Sequence, residues 1–206
     1  MCGRFAFSGE QWPESVQIQP PEIEPNFNIS PQSEVLCIYE ENESHKTASM
    51  KWGFRPSWNK KNSITPINAR IESISDKPMF RDSFEKRRCL IPATGWYEWK
   101  KSPSGKVPFY HHLEKNQPIL FAGIYDIKQD SSKTFCILTT ESDETISHIH
   151  HRMPLIIAND CVNEWLSSGH FESHVQSIKV HPVDRKVNSI TAQGIELTLP
   201  IRTLFD

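Results

Sequence analysis

The chain lacks several features that would place it in a broad class of proteins. It has no long Gly/Ser-rich or charged linker. A single hydrophobic core can still grow at 206 residues, so we expect one domain over residues 1–206. The longest apolar runs, Ile119–Tyr125 and Leu155–Ala158, are far too short to cross a bilayer. The first residues lack the unbroken apolar stretch of a signal peptide. These absences predict a cytoplasmic protein without a membrane partner.

Neither an excess of positive charge nor a paired cysteine motif is present. The formal net charge is −2, so any contact with nucleic acid has to be local. The five cysteines are an odd number without a CxxC spacing, which argues against a disulfide framework and a zinc ribbon. Three of them lie in apolar, strand-like contexts and are predicted to be small buried thiols, namely Cys37, Cys89 and Cys136. We expect no cofactor.

Strand-like segments dominate the chain. β-branched, aromatic and alternating residues recur, mostly with Gly, Pro, Ser or Asn between them, at Glu34–Tyr39, Thr47–Trp52, Arg87–Pro92, Gly95–Lys100, Val107–Leu113, Pro118–Tyr125 and Lys133–Thr140. Helical patterns are fewer and lie at Ser75–Phe84, Ser142–His148 and Cys161–Leu166, the last with Asp160 as its N-cap. We therefore predict an α+β fold, mainly antiparallel sheet that closes towards a barrel or two packed sheets, with a few short helices.

The second residue gains a specific reactivity if the first is removed. Cys2 precedes Gly3, and a small residue at position two permits removal of Met1 by a cellular aminopeptidase. Removal would leave on one residue an α-amine with an ordinary pKa of about 7.7–8.0 and a thiol with an ordinary pKa of about 8.5. Such a 1,2-aminothiol forms an imine with an aldehyde and then closes a five-membered thiazolidine. The alternative is that Cys2 is an incidental residue on a frayed terminus.

Seven short motifs follow one another from the first residue to nearly the last. They are Met1–Phe5, Asn28–Pro31, Trp52–Phe54, Ile67–Arg70, Gly95–Lys100, Ile149–Pro154 and His181–Asn188. In this order they resemble the SOS response-associated peptidase (SRAP) family of abasic-site processing proteins. The resemblance implies a barrel-like single domain and a covalent nucleophile at Cys2. It also implies that Asn68 steadies the adduct and that Glu98 and His150 assist proton transfers.

The residue types at these positions are compatible with those roles. In an extended segment Asn68 and Arg70 share one face, since strand side chains alternate with period two. One could then meet a sugar and the other a phosphate; the alternative is an Asn that holds backbone and an Arg that pairs with an acid. Glu98 lies between two aromatic residues, which desolvate a carboxylate and raise its pKa. The alternative is that Glu98 pairs with Lys100 on the same face of a strand.

Three histidines form a dense cluster, namely His148, His150 and His151. A neutral imidazole can take or give the protons that imine formation requires. Of the three, His150 matches the position of the family histidine. A zinc site is the rival interpretation, but this spacing is weakly diagnostic and no paired cysteine motif completes a tetrahedral set. We therefore predict no metal.

The segment Lys51–Lys61 has a composition typical of a single-strand-binding surface. It interleaves four basic residues with Trp52, Phe54 and Trp58, which suits phosphates along one edge and stacked bases along another. The alternative is that Trp52 and Phe54 belong to the core. The remaining predicted DNA contacts are Arg4, Arg70, Arg152, Asn28 and Pro31.

Together these features predict a sensor and shield of abasic sites. Cys2 would form a reversible thiazolidine cross-link with the ring-opened sugar in single-stranded DNA. A secondary strand-cleaving lyase activity and a peptidase activity limited to the leading residue are expected beside it. Two alternatives stay open: a cysteine peptidase or amidase with His150 as its base, and a non-covalent single-strand binder that makes no use of Cys2. A monomer is expected by default, associated with the nucleoid if the protein is bacterial.

Overall fold

A computed structural model describes residues 2–10, 12–58, 64–103, 105–114, 118–172 and 177–201. Its strands, in chain order, are β1 (Phe5–Phe7), β2 (Asn26–Ile29), β3 (Glu34–Glu41), β4 (Ser44–Trp52), β5 (Asn68–Arg70), β6 (Arg88–Ala93), β7 (Gly95–Ser102), β8 (Gly105–Leu113), β9 (Ile119–Ile127), β10 (Lys133–Glu141), β11 (Arg152–Pro154) and β12 (Ile178–Pro182). The α-helices are α1 (Pro78–Lys86) and α2 (Val162–Ser168). Within these ranges, no helix has the length and apolar character that a membrane crossing needs.

The described strands form two sheets. The first has the order β12-β8-β7-β1-β2, and all its neighbours are antiparallel. The second has the order β11-β10-β4-β3-β6-β9, and β9 pairs again with β10, so that five of its strands close into a ring. Both β4 and β5 run parallel to β10. The predicted α+β fold, mainly antiparallel and barrel-like, is confirmed.

Both faces of the second sheet are covered, which explains why its strands β6, β9 and β10 are buried over almost their whole length. On one face Phe121 of β9 packs with Phe5 of β1 and Trp96 of β7, side chains of the first sheet. On the other face the strands pack against α1 and α2. Val162 and Trp165 of helix α2 both pack against this face of the sheet, because residues three positions apart share one helix face.

Two of the helical predictions are wrong. Residues 144–149 form turns instead of the helix predicted at Ser142–His148. There, a side-chain oxygen of Asp143 accepts a hydrogen bond from the backbone N–H of Thr145 at 2.9 Å, and such local bonds compete with helix propagation. Asp160 does not cap α2, since it lies within the 3₁₀ helix Asn159–Cys161 and Cys161 occupies the N-cap position.

Candidate active site

The N-terminal residues continue the edge-to-edge pairing of β1 with β7. Phe5 is paired with Trp96, and the backbone N–H of Tyr97 donates to the carbonyl of Arg4 at 2.9 Å. Phe5 is fully buried, and its ring contacts those of Trp52 and Phe121 at 5.3 and 5.8 Å between centroids. Strand β7, which also carries Glu98, therefore holds these N-terminal residues in a fixed register.

Cys2 is held by the fold and does not lie on a frayed terminus. Its side chain is 0% exposed. Its carbonyl accepts a hydrogen bond from Nδ2 of Asn68 at 2.8 Å. Burial raises the pKa of the Cys2 thiol, and the nearby carboxyl group of Glu98 raises it further. The thiol is therefore protonated in this state, and a proton acceptor is needed before it can attack.

Asn68 reaches Cys2 from the second sheet. It begins β5, whose parallel pairing places it beside Ile137 of β10. Its Nδ2 donates to the carbonyl of Cys2, whereas its buried Oδ1 has no hydrogen-bond partner among the residues that the structure describes. A buried amide oxygen without a donor is costly, and it is a ready acceptor for a hydroxyl or amine of a substrate. The predicted extended conformation of Asn68–Arg70 is confirmed.

Glu98 lies in the middle of β7 and is 3% exposed. Burial raises the pKa of its carboxyl group from 4.5 to about 7, in agreement with the predicted desolvation. Near neutral pH the group is therefore divided between its acid and its carboxylate, which is the condition for transferring protons in both directions. Glu98 also lines a cavity of about 410 Å³ whose other walls are Trp99, Lys106, His150 and Asn188.

His150 contributes an imidazole to the same cavity. Its Nδ1 lies 3.0 Å from the backbone nitrogen and 3.1 Å from the carbonyl oxygen of Arg152, so it accepts from the first or donates to the second according to the tautomer. The hydroxyl of Ser142 donates to the carbonyl of His150 at 2.7 Å and holds the turn. Burial lowers the pKa of His150, so the ring is neutral at pH 7. In the described part of the chain, no group of three or more His, Cys, Asp or Glu side chains is placed to hold a metal ion.

Arg4 and Asn28 are both buried and bind each other. Nη1 of Arg4 donates to Oδ1 of Asn28 at 2.6 Å and to the carbonyl of Val187 at 2.8 Å. Nδ2 of Asn28 donates to the carbonyls of Ser189 and Ala192 at 2.9 and 2.8 Å. These two side chains tie the first two strands to residues 187–192, and we call this arrangement the clasp. Their predicted DNA contacts stay predictions, as does that of the half-buried Pro31.

The other two predicted phosphate-binding arginines differ in exposure. Arg152 is 6% exposed, and its guanidinium forms two bonds of 2.8 Å with the carboxylate of Glu72 and one of 2.6 Å with the carbonyl of Thr139. These bonds lower the pKa of Glu72. Arg70 is exposed at the end of β5. Of these two arginines, it is Arg70 whose side chain is open to solvent.

The predicted stacking surface divides into a buried and an exposed part. Trp52 is 0% exposed and its Nε1 donates to the carbonyl of Ile67 at 2.9 Å, so it offers no ring face to a base in this structure. Phe54 is also fully buried. The alternative interpretation, that both belong to the core, is confirmed. Trp58 is 66% exposed, and Lys60–Lys61 lie outside the described residues.

Sequence reasoning missed the part played by Lys106 and Asn188 in the cavity wall. Asn188 fixes the neighbouring ring, since its Oδ1 accepts from Nε1 of Trp99 at 2.8 Å. Lys106 lies at the start of β8, paired with Lys101 of β7. Lys106 and Glu98 line the same cavity, and no motif in the sequence marks this lysine.

The chain is similar to a known protein family over most of its length. The sequence profile of the SOS response associated peptidase (SRAP) family matches residues 1–190. The chain belongs to this family. It is 32% identical to YoqW of Bacillus subtilis over 89% of this chain and 88% of that protein. It is 31% identical to YedK of Escherichia coli over 98% of this chain and 100% of that protein. Both relatives are named abasic site processing proteins, and the predicted family is confirmed.

More distant proteins share the name of these relatives or the fold of this chain. HMCES of Xenopus tropicalis, also named an abasic site processing protein, is 26% identical over 88% of this chain and 68% of its own length. A solved structure from Bacteroides thetaiotaomicron superimposes with a TM-score of 0.76 at 19% identity and covers 98% of this chain and 100% of that one. A phage-related protein of Bordetella bronchiseptica superimposes with a TM-score of 0.71 at 25% identity, over 89% of this chain and 95% of that one. At 19% identity, the likeness to the Bacteroides thetaiotaomicron structure concerns the fold alone.

Proposed function

We propose that this chain processes abasic sites by forming a reversible covalent cross-link between Cys2 and the base-less sugar in single-stranded DNA. One observation carries the proposal. The pairing of β1 with β7 sets Cys2 beside Glu98, the carbonyl of Cys2 is bound by Asn68, and Glu98 shares a cavity with His150. These contacts support a site in which Cys2 is the nucleophile, Glu98 and His150 transfer protons, and Oδ1 of Asn68 is an acceptor.

The reaction begins after Met1 has been removed and the α-amine of Cys2 is exposed. Glu98, as the carboxylate, takes the proton of the C1′ hydroxyl, the C1′–O4′ bond breaks, and O4′ takes up a proton, which opens the sugar hemiacetal to its aldehyde. The amine attacks C1′, and loss of water gives an imine. The thiol sulfur then adds to C1′, and the thiol proton passes to the imine nitrogen, which closes the thiazolidine. A neutral His150 takes and returns the protons of these steps.

Reversal uses the same groups in the opposite order. Protonation of the thiazolidine nitrogen and departure of the sulfur restore the imine, and water then releases the aldehyde. A carboxyl group whose pKa is about 7 can donate and accept protons at neutral pH. We propose that Asn68 steadies the adduct through Oδ1, which can accept a hydrogen bond from a hydroxyl of the opened sugar.

The DNA strand is held by a small number of local contacts. The exposed side chains of Arg70 and Trp58 are our proposals for a phosphate contact and a base-stacking contact. We propose that Arg4, Arg152 and Asn28 shape the site through their protein partners.

A lyase activity follows from the same imine when ring closure fails. An imine at C1′ acidifies the C2′ protons, so a base can remove one of them while the bond to the 3′ phosphate breaks. Cys2→Ala and Cys2→Ser both keep the α-amine but cannot close a stable ring. We expect both variants to lose the heat-stable adduct, to be trapped on abasic single-stranded DNA by borohydride, and to nick the strand more than the wild type.

Denaturing gels read all three products, and one outcome would sink the aminothiol mechanism. If Cys2→Ala stays folded and binds DNA but traps nothing with borohydride, the amine is not the first nucleophile. The cysteine peptidase alternative would then be preferred. A non-covalent binder would form no denaturation-resistant band with the wild type either. Protein shown by mass spectrometry to retain Met1 serves as the matched control, because its secondary amide at Cys2 cannot form an imine.

A further inference from the structure

Two of the arginines predicted to contact DNA, Arg4 and Arg152, already donate hydrogen bonds to protein oxygens. The guanidinium of Arg4 binds Asn28 and a carbonyl, and that of Arg152 binds Glu72 and a carbonyl. Both side chains are more than nine-tenths buried. A base-less nucleotide nevertheless enters with a phosphate on each side of its sugar, and the cavity wall already holds Glu98, whose carboxyl group ionises near pH 7. The exposed Arg70 can meet one of the two phosphates, and the other needs a second cation.

Lys106 lies where such a group is needed. It lines the cavity of about 410 Å³ together with Glu98 and His150, and its side chain is exposed at the start of β8. Among the described residues of this wall, Lys106 is the one lysine or arginine. No carboxylate oxygen of the described residues lies within 4.0 Å of its ammonium group. Lys106 therefore forms no ion pair with any described residue.

We propose that Lys106 binds a phosphodiester group that flanks the base-less sugar, and that it thereby positions C1′ over Cys2. This inference rests on the proposed function and deepens it. An ammonium group on a four-carbon stem acts as a point charge that tolerates several phosphate orientations. That tolerance suits a sugar that changes from a ring to an open chain and then to a thiazolidine, since the contact persists while C1′ moves.

The test uses a single-stranded oligonucleotide with a tetrahydrofuran residue, which has the phosphates of an abasic site but no aldehyde. Each single-strand phosphate neutralised adds about 0.7 to the slope of log K against log salt. Lys106→Ala should lower the slope of the wild type by about 0.7 and weaken binding several-fold at low salt. Lys106→Arg should restore both. In cross-linking to true abasic DNA, Lys106→Ala should raise the half-saturating DNA concentration and leave the maximal rate little changed.

Lys101→Ala is the matched control. Lys101 is the paired residue across the same hairpin, is equally exposed and does not line the cavity, so its loss should leave the slope unchanged. Equal slopes for Lys106→Ala and the wild type would overturn the inference. An equal loss in the two alanine variants would also overturn it, as would undetectable binding of the analogue by the wild type.

The same protein preparations separate this inference from the proposed function. If the wild type forms no heat-stable adduct with true abasic DNA, the covalent mechanism fails, whatever the analogue shows. If the adduct forms but the salt slope does not depend on Lys106, only the inference fails. If both alanine variants have the same midpoint temperature of thermal unfolding as the wild type, neither result reflects loss of the fold.

Discussion

Glu98 lowers the stability of the protein at neutral pH because its carboxyl group is buried. Its folded-state pKa is about 7, whereas its ordinary value is 4.5. Between these two values the folded protein holds a proton that the unfolded chain has released, so the free energy of unfolding falls as pH rises. The stability that this bound proton contributes is fully present below pH 4.5 and is lost as the pH rises through about 7. A group with this effect is expected where chemistry requires it.

We predict that Glu98→Gln removes this pH dependence while it keeps the shape of the side chain. Above pH 8 the variant should be more stable than the wild type by on the order of 3 kcal/mol, and below pH 4 the two should be alike. Urea unfolding at a series of pH values measures the difference. The exposed Glu85→Gln is the control, and a Glu98→Gln curve parallel to that of the wild type would contradict the prediction.

Cross-linking by Glu98→Gln should be slowed without an increase in nicking.

Two tryptophans with opposite burial give a second prediction at this scale. Trp52 is 0% exposed and Trp58 is 66% exposed. Trp52→Ala should lower the free energy of unfolding by about 3–5 kcal/mol because it opens a core cavity. Trp58→Ala should leave stability within about 0.5 kcal/mol and weaken single-strand binding by about 1–3 kcal/mol. Chemical denaturation and fluorescence anisotropy distinguish the two effects, and the prediction fails if Trp58→Ala binds like the wild type.

At the scale of elements, length decides what the sequence can predict. The long strands β3, β4 and β7 to β10 show an alternating or apolar pattern over eight or nine residues, enough for the period to be recognised. Strands β1, β2, β11 and β12 have three to five residues and were not predicted. Their conformation comes from pairing with distant strands, which no local pattern encodes. The three-residue β5 was predicted as extended only through its motif.

The clasp between the first two strands and residues 187–192 can be tested as a unit. Asn28→Ala removes one acceptor from Arg4 and the donor shared by the carbonyls of Ser189 and Ala192. We expect a loss of stability of about 2–3 kcal/mol, since a buried guanidinium is left partly unsatisfied. Hydrogen exchange in residues 187–192 should become faster. The exposed Asn163→Ala is the control, and unchanged exchange in both variants would contradict the role of the clasp.

For the whole molecule we propose a single cooperative domain. One apolar cluster contains side chains of both sheets, among them Phe5, Trp96 and Phe121, so neither sheet can lose its packing alone. Thermal unfolding followed by far-UV circular dichroism and by tryptophan fluorescence should therefore give one coincident transition. Two separate transitions would indicate two domains. A monomer is expected in sedimentation experiments at the same concentrations.

Long-range partners set the limit of prediction for the candidate site. The family motifs pointed to Cys2 and Glu98, and the aromatic neighbours of Glu98 predicted its raised pKa from local sequence alone. That Arg152 is bound by Glu72, a residue 80 positions away, could not be predicted. The same holds for the place of Lys106 in the cavity wall. Local sequence indicates which side chains can react, whereas the fold decides which of them are already engaged.

The register of β1 also constrains how the gene can change. Phe5 is locked opposite Trp96 and packed between both sheets, so the distance from this anchor to Cys2 is fixed at three residues. Substitution of Gly3 changes a side chain, but insertion or deletion of one codon before Phe5 turns every preceding side chain to the other face. The codon of Gly3 should therefore tolerate point mutations far better than the segment between Cys2 and Phe5 tolerates a change of length.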